Sequence, residues 1–226
     1  NKATHSVAFF IPKFMEFIPK EIDIYSVNHT EEEPKLLSEL NRETWANVMT
    51  PRMLSGHLQG RILSMFSKMI HPKNIIEIGT YTGYSALCMA EGLKNDGTLH
   101  TLEINEECTS IAQRYFNQSD YSKNIKQYIG NALDIIPTLN CNFQLAFIDA
   151  DKENYSAYFD LIIEKIDLYG YIIADNVLWS GKVTKEEMDT ETKALDLYNK
   201  KVISDPRIET ILLPIRDGLM VSRKIK

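Results

Sequence analysis

The segment Ile75-Ile76-Glu77-Ile78-Gly79 constrains this chain most. It is a short apolar run closed by a glycine, and a helical pattern from Tyr84 to Leu93 follows it almost at once. Such a run reads as a strand buried on both faces of a sheet. The change of period then recurs. A strand at Leu99 to Glu103 follows the Asp96-Gly97 turn, a helix carries Cys108, Ile111, Ala112, Tyr115 and Phe116 on one face, and a short strand runs from Lys126 to Ile129. Leu145 to Asp149, a helix aligning Tyr155, Tyr158, Phe159, Ile162 and Ile166, and a strand at Tyr171 to Asp175 complete the series. Repeated alternation predicts an α/β fold with a parallel, doubly wound sheet. The tail departs from it. Ile208 to Leu213 and Leu219 to Val221 are strand-like runs separated by Pro214 and Asp217-Gly218, too close for an intervening helix, which predicts a terminal antiparallel hairpin.

Upstream, Thr30 with Glu33 reads as a capping box opening a helix with Leu36, Leu37, Leu40 and Trp45 on one stripe. A second helix carries Leu58, Ile62, Met65, Phe66 and Met69 until His71-Pro72 stops it. These form a helical cap over 30–71, between an N-terminal extension at 1–29 and a core at 72–226. The 226 residues are expected to make one domain. Residues 1–14 show no clear period and are set apart, with Met15 a possible alternative start. The apolar run Val7 to Ile11 is far short of the roughly 20 residues of a membrane span, so neither membrane insertion nor export is expected. Three widely spaced cysteines without a CxxC pair fit a reducing, cytoplasmic setting. A net charge of -6 gives no overall attraction to nucleic acid.

The chemistry should gather where the strands end. In Glu77-Ile78-Gly79-Thr80-Tyr81-Thr82-Gly83-Tyr84-Ser85 a strand closes on a glycine turn that opens a helix, a place where backbone can approach a ligand. The glycines do not form GxGxxG and no P-loop lysine follows, which favours a small nucleoside ligand over a pyrophosphate and disfavours a nicotinamide dehydrogenase. Glu103 ends the next strand, where a carboxylate accepts from ribose hydroxyls. Asp149, Asp175 and Asn176 close two further strands, and three such oxygen donors on one sheet edge suit a hard divalent cation such as Mg2+. Helix capping is the alternative, and it accounts for one of the three more readily than for all. Lys152, three residues past Asp149, is placed to act as a general base there. The five histidines form no metal-binding pair, and Gly83-Tyr84-Ser85-Ala86-Leu87 lacks the second glycine of a nucleophile elbow. The aromatic residues fall at core spacing, except Trp179, which follows the cation donors and could wall an aromatic substrate.

The stretches EIGTYTGYS, FIDADKENY, ADNVLWSGKV and DPRIETILLPIRDGL resemble the cation-dependent O-methyltransferases that include the caffeoyl-CoA and catechol enzymes, from about Met53 to the C-terminus. The resemblance implies a class I S-adenosylmethionine-dependent, Rossmann-like fold with a seven-stranded sheet. It implies cofactor contacts at Met53, Ser55, Glu77, Gly79, Tyr81, Ser85, Glu103, Ala132, Asp149 and Asp151. It also implies cation ligands at Asp149, Asp175 and Asn176 (Mg2+ foremost, with Ca2+ or Mn2+ as alternatives), a base at Lys152 and a homodimer meeting through its N-terminal helices. Asn131 stands where many relatives carry an acidic or small residue, and Val183 to Thr192 is shorter than the substrate loop of the plant enzymes. Both features make the chain similar to the bacterial members. The reaction implied is methylation of a small aromatic, catechol-like hydroxyl. Alternatives are a hydroxylated tRNA nucleoside, met by a basic stripe of Arg42, Arg52, Arg61, Lys68 and Lys73, and a cofactor-binding module without turnover.

Overall fold

The computed structural model describes residues 18–226, so the stretch 1–14 and the alternative start at Met15 lie outside the described residues. In chain order the described residues form α1 (Lys20–Asn28), α2 (Lys35–Asn47), α3 (Gly56–Ile70), β1 (Asn74–Ile78), α4 (Tyr84–Ala90), β2 (Thr98–Glu103), α5 (Thr109–Gln118) and β3 (Ile125–Ile129). There follow α6 (Ala132–Ile135), β4 (Phe143–Ile148), α7 (Tyr155–Lys165), β5 (Ile166–Ala174), α8 (Thr190–Ser204), β6 (Ile208–Leu213) and β7 (Leu219–Lys224).

The strands make one seven-stranded sheet in the order β3-β2-β1-β4-β5-β7-β6. The first five run parallel, and β7 inserts antiparallel between β5 and β6, as the hairpin required. Adjacent residues of the central strands serve opposite faces. Ile76, Ala146, Ile148 and Ile172 pack under Tyr155, Phe159, Ile162 and Tyr198 of α7 and α8. Ile75, Leu145, Phe147 and Ile173 pack under the layer of α2 to α5, with Leu40, Leu63, Leu87 and Phe116. A strand covered on both faces has to be apolar at every position, which is why these runs do not alternate.

Three expectations need correction. The Thr30–Glu33 capping box does not form: α1 occupies part of the supposed extension, Thr30 Oγ1 donates back to Ser26 O at 2.6 Å, and α2 begins only after Pro34. A proline disfavours helix in the residue before it but suits a helix start, so the helix cannot run through Glu33. Trp45, placed on the buried stripe of that helix, is exposed. The stripe on α3 holds only in part: Ile62 and Phe66 pack partly buried against the core, but Met65 and Met69 are 58% and 75% exposed while Gln59, Gly60, Leu63, Ser64 and Ser67 are buried. Gly60 and Ser67 let α3 approach α4 closely: a Cβ on Gly60 would lie 2.6 Å from the Tyr84 ring, and Ser67 Oγ donates to Met89 O at 2.6 Å. The third correction is α8, which the sequence pattern left unassigned. It begins within the supposed substrate loop, where the Asp189 carboxylate accepts from Thr192 N at 2.8 Å as an N-cap. Among the described residues no helix is long and apolar enough to cross a membrane.

Candidate active site

The carboxyl ends of β2, β1, β4 and β5 are stepped together. Gly79 N donates to Leu102 O, Asp149 N to Ile78 O and Asp175 N to Ile148 O, each at 2.9 Å. The strand order reverses between β1 and β4, the topological switch point where sheets of this kind bind ligands. A cleft of about 1300 Å³ opens there, roomy for a nucleoside and a second small molecule together.

On one side the cleft is shaped for a nucleoside. Gly79 has φ +101°, and a Cβ there would strike the Asp149 carbonyl oxygen, so only glycine lets the two strand ends meet. The Glu103 carboxylate is fixed by backbone N–H groups, Oε2 accepting from Tyr81 at 2.8 Å and Oε1 from Asn105 at 2.9 Å. Each oxygen keeps a lone pair for hydroxyls. Tyr81 is held over the cleft by its hydroxyl, which donates to Thr50 O at 2.9 Å. Asn131 spends its Oδ1 on capping α6, accepting from Leu133 N at 2.9 Å, and leaves Ala132 at the wall. Met53, Ser55, Ser85 and Asp151 also line the cleft.

Glu77 stands apart from these. It is fully buried one layer behind the wall, accepting from Ser85 Oγ and Thr101 Oγ1 at 2.5 Å each, and burial pushes its carboxyl up to about 8. Through these bonds it holds Ser85 and the end of β2, and it is not among the residues that line the cleft.

On the other side lies a charged cluster. Lys152, only 7% exposed, donates from Nζ to Asp149 Oδ1 at 3.1 Å, Asn176 Oδ1 at 2.8 Å and Tyr155 Oη at 2.7 Å. Tyr155 in turn donates to Asp175 O at 3.0 Å. Asp175 is buried, and burial with the nearby Asp149 charge pushes its carboxyl up to about 7. Its Oδ1 accepts from Asn176 N at 2.7 Å and its Oδ2 from Gln59 Nε2 at 2.5 Å. Asn176 has φ +59°, a conformation asparagine tolerates better than most residues.

Among the described residues no group of three or more His, Cys, Asp or Glu is arranged to hold a metal ion. The set here is two carboxylates and an amide oxygen. The Lys152 ammonium already sits between Asp149 and Asn176 as a stand-in positive charge, so the donors fit a hard divalent cation. Trp179 lines the same end, its ring centroid 5.6 Å from Lys152 Nζ and 5.7 Å from Lys182 Nζ. The loop carrying it is pinned by the hairpin tip, since the Asp217 carboxylate accepts from Ser180 N and Leu178 N donates to Asp217 O at 2.9 Å.

Tyr155, Gln59, Arg216 and Asp217 were not singled out from the sequence. The three-residue steps Asp149, Lys152, Tyr155 could have drawn Tyr155 in, but its core spacing hid a hydroxyl aimed at Lys152. Nothing local marks Gln59 or Arg216. Of the basic stripe, Arg61 and Lys68 both pair with Glu91, at 2.7 and 2.9 Å, and Lys73 pairs with Asp96 at 3.2 Å.

The family model described as O-methyltransferase matches residues 27–225. The chain is 34% identical over 206 residues to a caffeoyl-CoA O-methyltransferase of Mesembryanthemum crystallinum, covering 85% of this chain and 81% of the relative. Its identity to the Petroselinum crispum enzyme of the same name is also 34%, covering 85% of each. Among solved structures, the O-methyltransferase from Bacillus cereus in complex with SAH superposes with a TM-score of 0.83 at 26% identity, covering 90% of this chain and 97% of that one. The SAH-bound Podospora anserina methyltransferase PaMTH1 gives a TM-score of 0.84 at 27% identity, covering 91% and 94%.

Proposed function

Since this chain belongs to the O-methyltransferase family, we propose that it transfers the methyl group of S-adenosylmethionine to a hydroxyl of a small catechol-like aromatic acceptor, with a divalent cation at Asp149, Asp175 and Asn176. The observation that carries the reading is the position of Lys152 Nζ, bridging Asp149 and Asn176 at 3.1 and 2.8 Å on the cleft floor. The nitrogen held there is a positive charge when protonated and a base once it has given up its proton.

A lone pair of the acceptor oxygen attacks the methyl carbon, the carbon–sulfur bond breaks with its electron pair passing to sulfur, and the sulfonium becomes a neutral thioether. The hydroxyl proton goes to Lys152 Nζ in its amine form. A phenol ordinarily titrates near 10, and a bound divalent cation supplies the charge that favours its anion. Glu103 and the Gly79 turn hold the nucleoside, with Met53, Ser55, Tyr81, Ser85, Ala132 and Asp151 around it. Trp179 walls the acceptor ring, and Tyr155 fixes Lys152, so the site works chiefly by positioning. Exposed Ile22, Ile24 and Tyr25 on α1 support pairing of two copies through the N-terminal helices, which sedimentation would test.

The test is transfer of labelled methyl from S-adenosylmethionine to 3,4-dihydroxybenzoate with Mg2+ and with EDTA. Transfer abolished by EDTA, and by Asp175→Ala, is expected. Transfer indifferent to both would remove the cation from the reading. Cofactor binding without transfer to any catechol would move the acceptor to a hydroxylated tRNA nucleoside or leave a non-catalytic binder.

A further inference from the structure

Arg216 occupies the tip of the β6–β7 hairpin in a left-handed backbone conformation, φ +49°, that a non-glycine residue seldom adopts. The strain places a guanidinium on the cleft wall. One nitrogen, Nη1, is fully engaged, its two N–H groups shared among three acceptors: Leu54 O at 3.1 Å, Gln59 Oε1 at 3.1 Å and Ser55 O. The N–H groups of Nε and Nη2 have no hydrogen-bond or ion-pair partner among the described residues.

The neighbouring lysines differ. Lys182 is paired with Asp189 at 3.0 Å and Lys152 with Asp149 at 3.1 Å. Nor does Arg216 meet a carboxylate directly. Gln59 stands between it and Asp175, and Asp217 accepts from the Ser180 backbone instead. A guanidinium fixed at one nitrogen, with its other donors unpartnered on a residue that lines the cleft, offers a fork for a planar anion. Only the Gln59 amide separates it from Asp175, through hydrogen bonds of 3.1 and 2.5 Å, and both residues line the same cleft. An acceptor whose hydroxyls meet the Asp175 end would therefore bring a substituent on the far side of its ring to Arg216.

Resting on the acceptor reading above, we propose that Arg216 selects acceptors carrying a carboxylate across the ring from the two hydroxyls, so that the substrate class is an anionic catechol. The charge of the acceptor, more than its ring, then decides affinity.

The experiment measures binding by quenching of tryptophan fluorescence, in the presence of S-adenosylhomocysteine and Mg2+, for 3,4-dihydroxybenzoate and for the uncharged 3,4-dihydroxybenzyl alcohol. Wild type, Arg216→Lys and Arg216→Met are compared, with methyl transfer followed in parallel. Wild type is expected to bind the acid at least tenfold more tightly than the alcohol. That ratio should fall towards one in Arg216→Met, remain intermediate in Arg216→Lys, and shrink with added salt in wild type. Reading a ratio keeps the test valid even where Arg216→Met loosens the Leu54–Ser55 turn and weakens both ligands. Equal affinities in wild type, or a ratio unchanged in Arg216→Met, overturn the inference while leaving methyl transfer intact. Selective binding without transfer overturns the transfer reading and leaves the selectivity standing. Binding of neither catechol overturns both.

Discussion

Gln59 Nε2 donates to Asp175 Oδ2 at 2.5 Å, joining α3 to the end of β5. Arg216 Nη1 donates to the other end of the same amide, Gln59 Oε1, at 3.1 Å. The amide is therefore oriented, and it presents a hydrogen to a buried carboxylate that, among the described residues, has one other donor, Asn176 N. Hydrogen bonds that orient a cation's ligands typically govern affinity by tenfold or more.

Gln59→Leu should accordingly weaken Mn2+ binding by about 10- to 100-fold, read by electron paramagnetic resonance, while S-adenosylhomocysteine affinity stays within about threefold. Equal loss of both would mean that Gln59 merely holds the turn around Ser55.

Replacement of Lys152 by methionine keeps the length of the chain and removes the nitrogen. Positioned bases contribute about 10² to 10⁴ in rate, so kcat should fall within that range with little change in KM for S-adenosylmethionine. A variant as fast as wild type would assign Lys152 to charge balance alone.

Glu77 carries a pH signature. Burial raises its carboxyl to about 8, against an opposing pull from the Ser85 and Thr101 hydroxyls. The folded chain thus keeps a proton that the unfolded chain loses near the ordinary value of about 4.3. Its contribution to stability is complete below that value and is lost as pH rises through about 8. Glu77→Gln removes the titration. In urea unfolding, the variant should gain on wild type as pH rises through this window, and a constant difference would refute the assignment.

Gly79→Ala would force a Cβ against the Asp149 carbonyl oxygen at φ +101°. Neither β1 nor β4 can yield without breaking the sheet at its centre. A loss of roughly 3 kcal/mol or more is expected from the urea midpoint, together with weakened cofactor binding. An unchanged midpoint would show that the strand ends can part.

The alternation of periods was sufficient to define the parallel sheet, the hairpin and the edge on which Gly79, Glu103, Asp149, Asp175 and Asn176 stand, because each is a local signal carried by neighbours in the chain. Where the sequence pattern misled, a distant partner decided the outcome. Met65 and Met69 sit on the more apolar side of α3, yet close packing of Gly60 and Ser67 against α4 leaves these two exposed while Ile62 and Phe66 still pack partly against the core. Glu77 reads as a strand-end residue like Glu103, yet Ser85 and Thr101 draw it inward, behind the wall.

The order of elements and the donor types on the sheet edge follow from neighbours in the chain, since strand burial and turn chemistry depend on adjacent residues. Folding alone brings Lys152 between Asp149 and Asn176, brings Tyr155 to it from the core, and carries Gln59 and Arg216 from α3 and the hairpin to Asp175. Those relationships span up to 157 positions of chain, and no local periodicity encodes a contact that exists only once the sheet has brought its edges together.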